Sequence, residues 1–154
     1  MVDRNAAAPD FTLFNTAREP VSLTNFRGGK VVLAFFPAAF TSVCEKELCT
    51  FRDSMAKFNE MNAKVLGISV DSPFSNAAFA TQNGLNFDVL SDYGREVVAA
   101  YGVADEDFAG LTGYTAAVRS VFVVDEQGTV AYRWLAPNPG VEPPYDEVAA
   151  ALGH

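Results

Sequence analysis

Six consecutive apolar residues, Val31-Val32-Leu33-Ala34-Phe35-Phe36, stand between the turn Arg27-Gly28-Gly29-Lys30 and Pro37. A run of β-branched and aromatic residues with no polar face reads as a central strand buried on both sides. Such a strand requires a sheet with cover above and below, and this restricts the fold more than any other stretch of the chain. Val65-Leu66-Gly67-Ile68-Ser69-Val70 is a second run of the same kind, stopped by Asp71-Ser72-Pro73. Between the two, Thr41-Ser42 offers an N-cap, and Leu48, Phe51, Met55, Phe58 and Met61 recur at helical spacings of three and four. Strand, helix and strand in that order make a parallel unit with a crossover.

The flanking segments complete the pattern. Phe11-Thr12-Leu13-Phe14 and Val21-Ser22-Leu23 predict a short N-terminal hairpin. Ser72-Pro73 opens a second helix that ends near Asn83-Gly84, since proline suits the first helical position and glycine the exit. Phe87 to Leu90 is a brief strand, followed by a helix around Glu96 to Tyr101. Val118 to Val124 and Thr129 to Leu135 form a hairpin about Asp125-Glu126-Gln127-Gly128. Four prolines between 137 and 144 mark a loop, and Tyr145 to Leu152 a closing helix. The sum is an α/β fold: a thioredoxin-like mixed central sheet flanked by helices, with an N-terminal β-hairpin extension. No linker or repeat interrupts it, so residues 1–154 read as one domain.

Composition narrows the function. A net charge of −8 with scattered basic residues argues against a nucleic-acid partner. No apolar run approaches the ~18 residues that span a bilayer, and the opening residues lack a signal-peptide core. The expectation is a soluble cytoplasmic protein with no membrane partner. Two cysteines, Cys44 and Cys49, are too few for a secreted disulfide scaffold. With His154 they are also too few for a structural zinc site, and no phosphate loop or flavin fingerprint is present. Neither metal nor organic cofactor is expected.

The chemistry concentrates in Pro37-Ala38-Ala39-Phe40-Thr41-Ser42-Val43-Cys44-Glu45-Lys46-Glu47-Leu48-Cys49. Proline ends a buried strand and Cys44 falls in the first turn of a helix, where free N–H groups and the positive end of the dipole favour thiolate. Thr41 can bring its hydroxyl back to the same place, holding either the thiolate or a substrate oxygen. Glu45 and Glu47 oppose a second negative charge if they lie close. Arg119, entering an apolar strand, is the natural compensating cation. Taken singly, each residue has a plainer role: Cys44 as a small buried side chain, Pro37 as a strand terminator, Thr41 as a cap, Arg119 as half of an ion pair.

Pro-x-x-x-Thr-x-x-Cys, met by Pro37, Thr41 and Cys44 with Arg119 downstream, resembles the active-site signature of the peroxiredoxins. The similarity extends over Phe26 to Leu33, Leu90-Ser91-Asp92 and Val121 to Asp125. Tyr132-Arg133-Trp134, Val141-Glu142-Pro143 and Tyr145 to Val148 look like the alkyl hydroperoxide reductase E subgroup. The resemblance implies a thiol peroxidase in which Cys44 attacks a peroxide and becomes a sulfenic acid. Thr41 and Arg119 would hold the peroxide oxygens, Pro37 would shield the sulfur, and Glu47 would position the arginine. A plain exposed acid is the other reading of Glu47.

Cys49 decides how the sulfenic acid is cleared. Five helical residues separate two cysteines by roughly 140° around the axis, with Cα atoms about 8–9 Å apart, too far for a disulfide in an intact helix. The Cys-x4-Cys spacing resembles that of the bacterioferritin-comigratory-protein group, which implies that Cys49 resolves Cys44 and that a thioredoxin-like donor reduces the disulfide. The alternatives are a one-cysteine enzyme recycled by an external or low-molecular-weight thiol, with Cys49 a buried helix residue, and a non-catalytic thioredoxin-fold binding or chaperone domain. A Cys-x-x-Cys oxidoreductase is excluded because that motif is absent. The family habit of assembly implies a homodimer or higher homo-oligomer.

Overall fold

In the computed structural model, which describes residues 2–153, the run beginning at Val31 lies in the interior of a seven-stranded sheet, next to its middle strand. The chain enters through β1 (Thr12–Phe14) and β2 (Pro20–Ser22), then β3 (Lys30–Phe35), α1 (Ser42–Asp53), α2 (Met55–Glu60), β4 (Ala63–Ser69) and α3 (Pro73–Asn83). It continues through β5 (Asp88–Ser91), α4 (Glu96–Ala100), β6 (Ala104–Asp105), β7 (Ala116–Ala117), β8 (Ser120–Val124), β9 (Val130–Leu135) and α5 (Tyr145–Leu152). The large sheet runs β2-β1-β5-β4-β3-β8-β9, with β3, β4 and β5 parallel and the remaining pairs antiparallel.

The two-sided burial expected of β3 is resolved residue by residue. Val31, Leu33 and Phe35 enter one core with Leu66, Ile68, Val98, Tyr101 and Phe122. Val32, Ala34 and Phe36 enter the other with Leu48, Phe51, Phe58, Phe79, Val121 and Val148. Alternate residues of a strand face opposite ways, so one apolar run serves both cores. Cys44 belongs to the second core. The pairing of Phe35 with Ser120 sets the start of β8 beside the end of β3. That register delivers Arg119 to the place where the chain leaves the sheet for α1.

Three local features depart from the sequence reading. The helix expected through Met61 is divided at Ser54, whose φ/ψ of −97°/0° separates α1 from α2. The Ser54 hydroxyl donates to the Thr50 carbonyl at 3.0 Å, a back-bond that bends helices. The hairpin is shifted by a residue: Leu23 has left the strand for a 3-10 turn, and Pro20 sits on the edge strand, where its missing N–H costs no ladder bond. The small β6–β7 pair carried no sequence signal, because two residues per strand are too few to show a period. By contrast α3 has the expected ends, with Ser72 accepting from the Ser75 N–H and Gly84 left-handed at φ 58°.

Candidate active site

The loop from Pro37 to Thr41 is built to stop the strand and start the helix within a few residues. Pro37 is buried. Asp71, two residues beyond the end of the neighbouring β4, accepts the Ala39 N–H at 2.8 Å and pins the loop. Phe40 takes a left-handed φ of 67°, a conformation costly for a non-glycine residue, and its ring rests edge-on against Phe79. The first hydrogen bond of α1 runs from the Glu45 N–H to the Thr41 carbonyl at 2.9 Å. The Cys44 N–H lies ahead of it, in the turn whose donors have no carbonyl within the helix.

Arg119 ties three elements together. Its Nη2 donates to Cys44 Sγ at 3.1 Å, its Nη1 to Glu47 Oε1 at 2.6 Å, and its Nε to the Pro139 carbonyl at 3.1 Å. Cys44 and Glu47 stand three residues apart on one helix face, so a single guanidinium reaches both. Cys44 and Glu47 have no exposed surface, and Arg119 is 2% exposed. Burial pushes the Glu47 carboxyl up to about 7, against the pull of the Arg119 guanidinium beside it. Its second oxygen has no hydrogen-bond partner. For Arg119 burial works against the charge, but the Glu47 carboxylate and the Cys44 sulfur outweigh it, and the guanidinium stays protonated.

The fold thus brings Cys44, Glu47 and Arg119 into contact. Thr41 is a neighbour that does not bond to this cluster: its hydroxyl donates to the Ala38 carbonyl at 3.0 Å. Nor does it cap α1 through its side chain. The left-handed Phe40 closes the turn tightly enough for the hydroxyl to reach a carbonyl three residues back. Pro37 and Arg119 share a cavity of about 170 Å³ with Val118 and Pro139. Cys49 is half-buried and faces away from this cluster, 3.6 Å from Asn83 Oδ1; both cysteines are free thiols. Asp71, Asn83 and the Pro139 carbonyl were invisible as site elements, because their partners lie tens of residues away in sequence. Among the described residues no group of three metal-ligating side chains occurs; His154 lies outside them.

A mixed sheet of this order, with a buried cysteine in the first turn of a helix and a guanidinium upon it, defines a thioredoxin-like thiol site. The chain belongs to the AhpC/TSA family, whose pattern it matches over residues 5–133. The chloroplastic peroxiredoxin Q of Gentiana triflora is 41% identical over 129 residues, covering 84% of this chain and 57% of that protein. The chain therefore spans little more than half the length of that relative. The crystal structure of peroxidoxin BcpB from Mycobacterium tuberculosis superposes with a TM-score of 0.87 at 31% identity, covering 99% of this chain and 97% of that one. The bacterioferritin comigratory protein of Xanthomonas campestris, described for its alkyl peroxide reduction, gives 0.84 at 26% identity over 97% of both chains. The expected peroxiredoxin fold is met, and the relatives belong to the group in which the Cys-x4-Cys spacing was expected.

Proposed function

We propose that the protein is a thiol peroxidase with Cys44 as its peroxidatic residue. The contact between Arg119 Nη2 and Cys44 Sγ at 3.1 Å carries this reading. A guanidinium donor fixes the position of a buried sulfur at a helix start, and the same guanidinium is placed for charge that develops on a peroxide. The Cys44 thiolate attacks the terminal peroxide oxygen. The O–O bond breaks, the leaving oxygen departs with its electron pair and takes a proton, and Cys44 becomes a sulfenic acid. Glu47 positions Arg119. Thr41 accepts from the peroxide, since a hydroxyl that donates to Ala38 keeps its lone pairs free. Pro37 keeps water from the sulfur.

Cys49 then attacks the sulfenic sulfur, and a thioredoxin-like dithiol reduces the disulfide. The orientation of Cys49 toward Asn83 favours a second reading, in which an external thiol recycles a single working cysteine. Intact mass after one equivalent of peroxide separates the two: loss of two hydrogens for the disulfide, gain of one oxygen with Cys49 still alkylatable for the other. Hydrogen peroxide and alkyl hydroperoxides are both within the reading, the latter supported by the Xanthomonas relative. Assembly as a homo-oligomer and a cytoplasmic setting belong to the same reading. Stopped-flow consumption of peroxide by the reduced protein, set against Cys44→Ser, tests the central claim. Rates no faster than those of a free thiol, or equal in the two proteins, would return Cys44 to a packing role.

A further inference from the structure

Cys49 shares an unbroken α1 with Cys44, yet its surroundings are those of another site. Its thiol lies 3.6 Å from Asn83 Oδ1, in the last residue of α3. The direction of that amide is set from its other end, where Asn83 Nδ2 donates to the Phe79 carbonyl at 3.0 Å. With Nδ2 so engaged, the carbonyl oxygen is the end presented to Cys49, and Cys49 is the donor. The same junction is tied twice more. Arg52 Nη1 donates to the Asn83 carbonyl, and Asn86 Nδ2 donates to the Arg52 carbonyl at 3.4 Å. The second half of α1 is thereby docked on the end of α3, while its first turn has no side-chain cap.

We infer that Asn83 is a positioning residue for disulfide formation: its side-chain carbonyl accepts from the Cys49 thiol and holds it against α3 and away from Cys44. This rests on the reading of Cys49 as the resolving cysteine. Resolution requires Cys49 to lose its proton to solvent and to attack the sulfenic sulfur. The S–S bond forms as the S–O bond breaks, and hydroxide leaves to become water. The amide oxygen accepts from the S–H, and Cys49 cannot keep that bond while its sulfur reaches Cys44. The contact therefore has to break before the attack, and it acts as a brake on that step alone. While the brake holds, the Cys44 sulfenic acid survives to meet a second peroxide and pass to sulfinic acid. Asn83 thus sets the partition between recycling and inactivation.

The test is rapid-quench intact mass on the wild type, Asn83→Ala and Asn83→Asp after one equivalent of hydrogen peroxide. Formation of the Cys44 sulfenic acid serves as the internal reference for an intact site. The Ala variant lacks the acceptor and is expected to form the disulfide roughly twofold faster, the ratio that a weak hydrogen bond is worth. The Asp variant keeps an acceptor and adds negative charge, so it is expected to form the disulfide more slowly than the wild type and, in a parallel run with a roughly tenfold excess of peroxide to supply the second oxidation, to accumulate more sulfinic acid. Both variants lose the amide donor to Phe79, so a merely structural loosening would speed both alike. Two shifts of the same sign, or no shift in either, would overturn the role of Asn83 with the resolving role intact. A wild type that never forms the disulfide would remove the resolving role itself.

Discussion

At the scale of single residues, the Glu47–Arg119 pair is the most demanding feature of the chain. Two charged side chains are buried together, and one carboxylate oxygen has no partner. Removing one member strands the other: Glu47→Ala is expected to cost about 3–5 kcal/mol, read from urea unfolding. Arg119→Lys keeps the charge but loses the fork that spans Cys44, Glu47 and Pro139. It is expected to slow sulfenic acid formation by roughly 10²-fold or more. The pH dependence has a definite sign. Glu47 moves from an ordinary 4.5 to about 7 on folding. Its contribution to stability is complete below the unfolded value and is lost as pH rises through about 7. Thermal unfolding followed between these limits should show that decline, and Glu47→Gln should flatten it.

At the scale of elements, the proposed chemistry asks two incompatible things of α1. Intact, it keeps Cys44 in its first turn and sends Leu48 and Phe51 into the core. The proposed disulfide requires it to open so that Cys49 can approach. Hydrogen exchange should therefore show amides between Cys44 and Cys49 protected in the reduced protein and exposed in the oxidised one. No such conflict touches α3, whose ends are written locally in Ser72, Pro73 and Gly84. Ser72→Ala removes the acceptor for the Ser75 N–H and is expected to cost about 1 kcal/mol by denaturant unfolding, with the peroxide reaction unchanged.

At the scale of the whole molecule, one sheet carries two cores, and Cys44, the proposed nucleophile, is a structural member of one of them. Oxidation therefore disturbs packing as well as chemistry. A disulfide from Cys44 to Cys49 closes a loop of only six residues and constrains the unfolded chain by about 2 kcal/mol, at the low end for disulfides. Opening α1 withdraws Cys44 and Leu48 from full burial, at about 1.5–3 kcal/mol for a leucine side chain. The oxidised protein should unfold at a lower temperature than the reduced one, opposite to the usual effect of a disulfide, and differential scanning calorimetry of the two forms would show it.

Much of this architecture was legible in the chain, because the signals were local. The apolar run at Val31 determined a two-sided strand, Ser72-Pro73 and Gly84 the limits of a helix, and Pro37, Thr41 and Cys44 the place to look for chemistry. Periodicity and caps act over a few residues, so they survive without tertiary context. What lay beyond the sequence is everything that depends on chain segments meeting at long range. The β3–β8 register placed Arg119 on Cys44 and Glu47, 75 and 72 residues away. The left-handed Phe40 turned the Thr41 hydroxyl back to Ala38, and the packing of α1 on α3 gave Cys49 to Asn83. A spacing of five residues announced a second cysteine. Only the folded structure decided which way it faces, because that direction is set by the groups that fold against it.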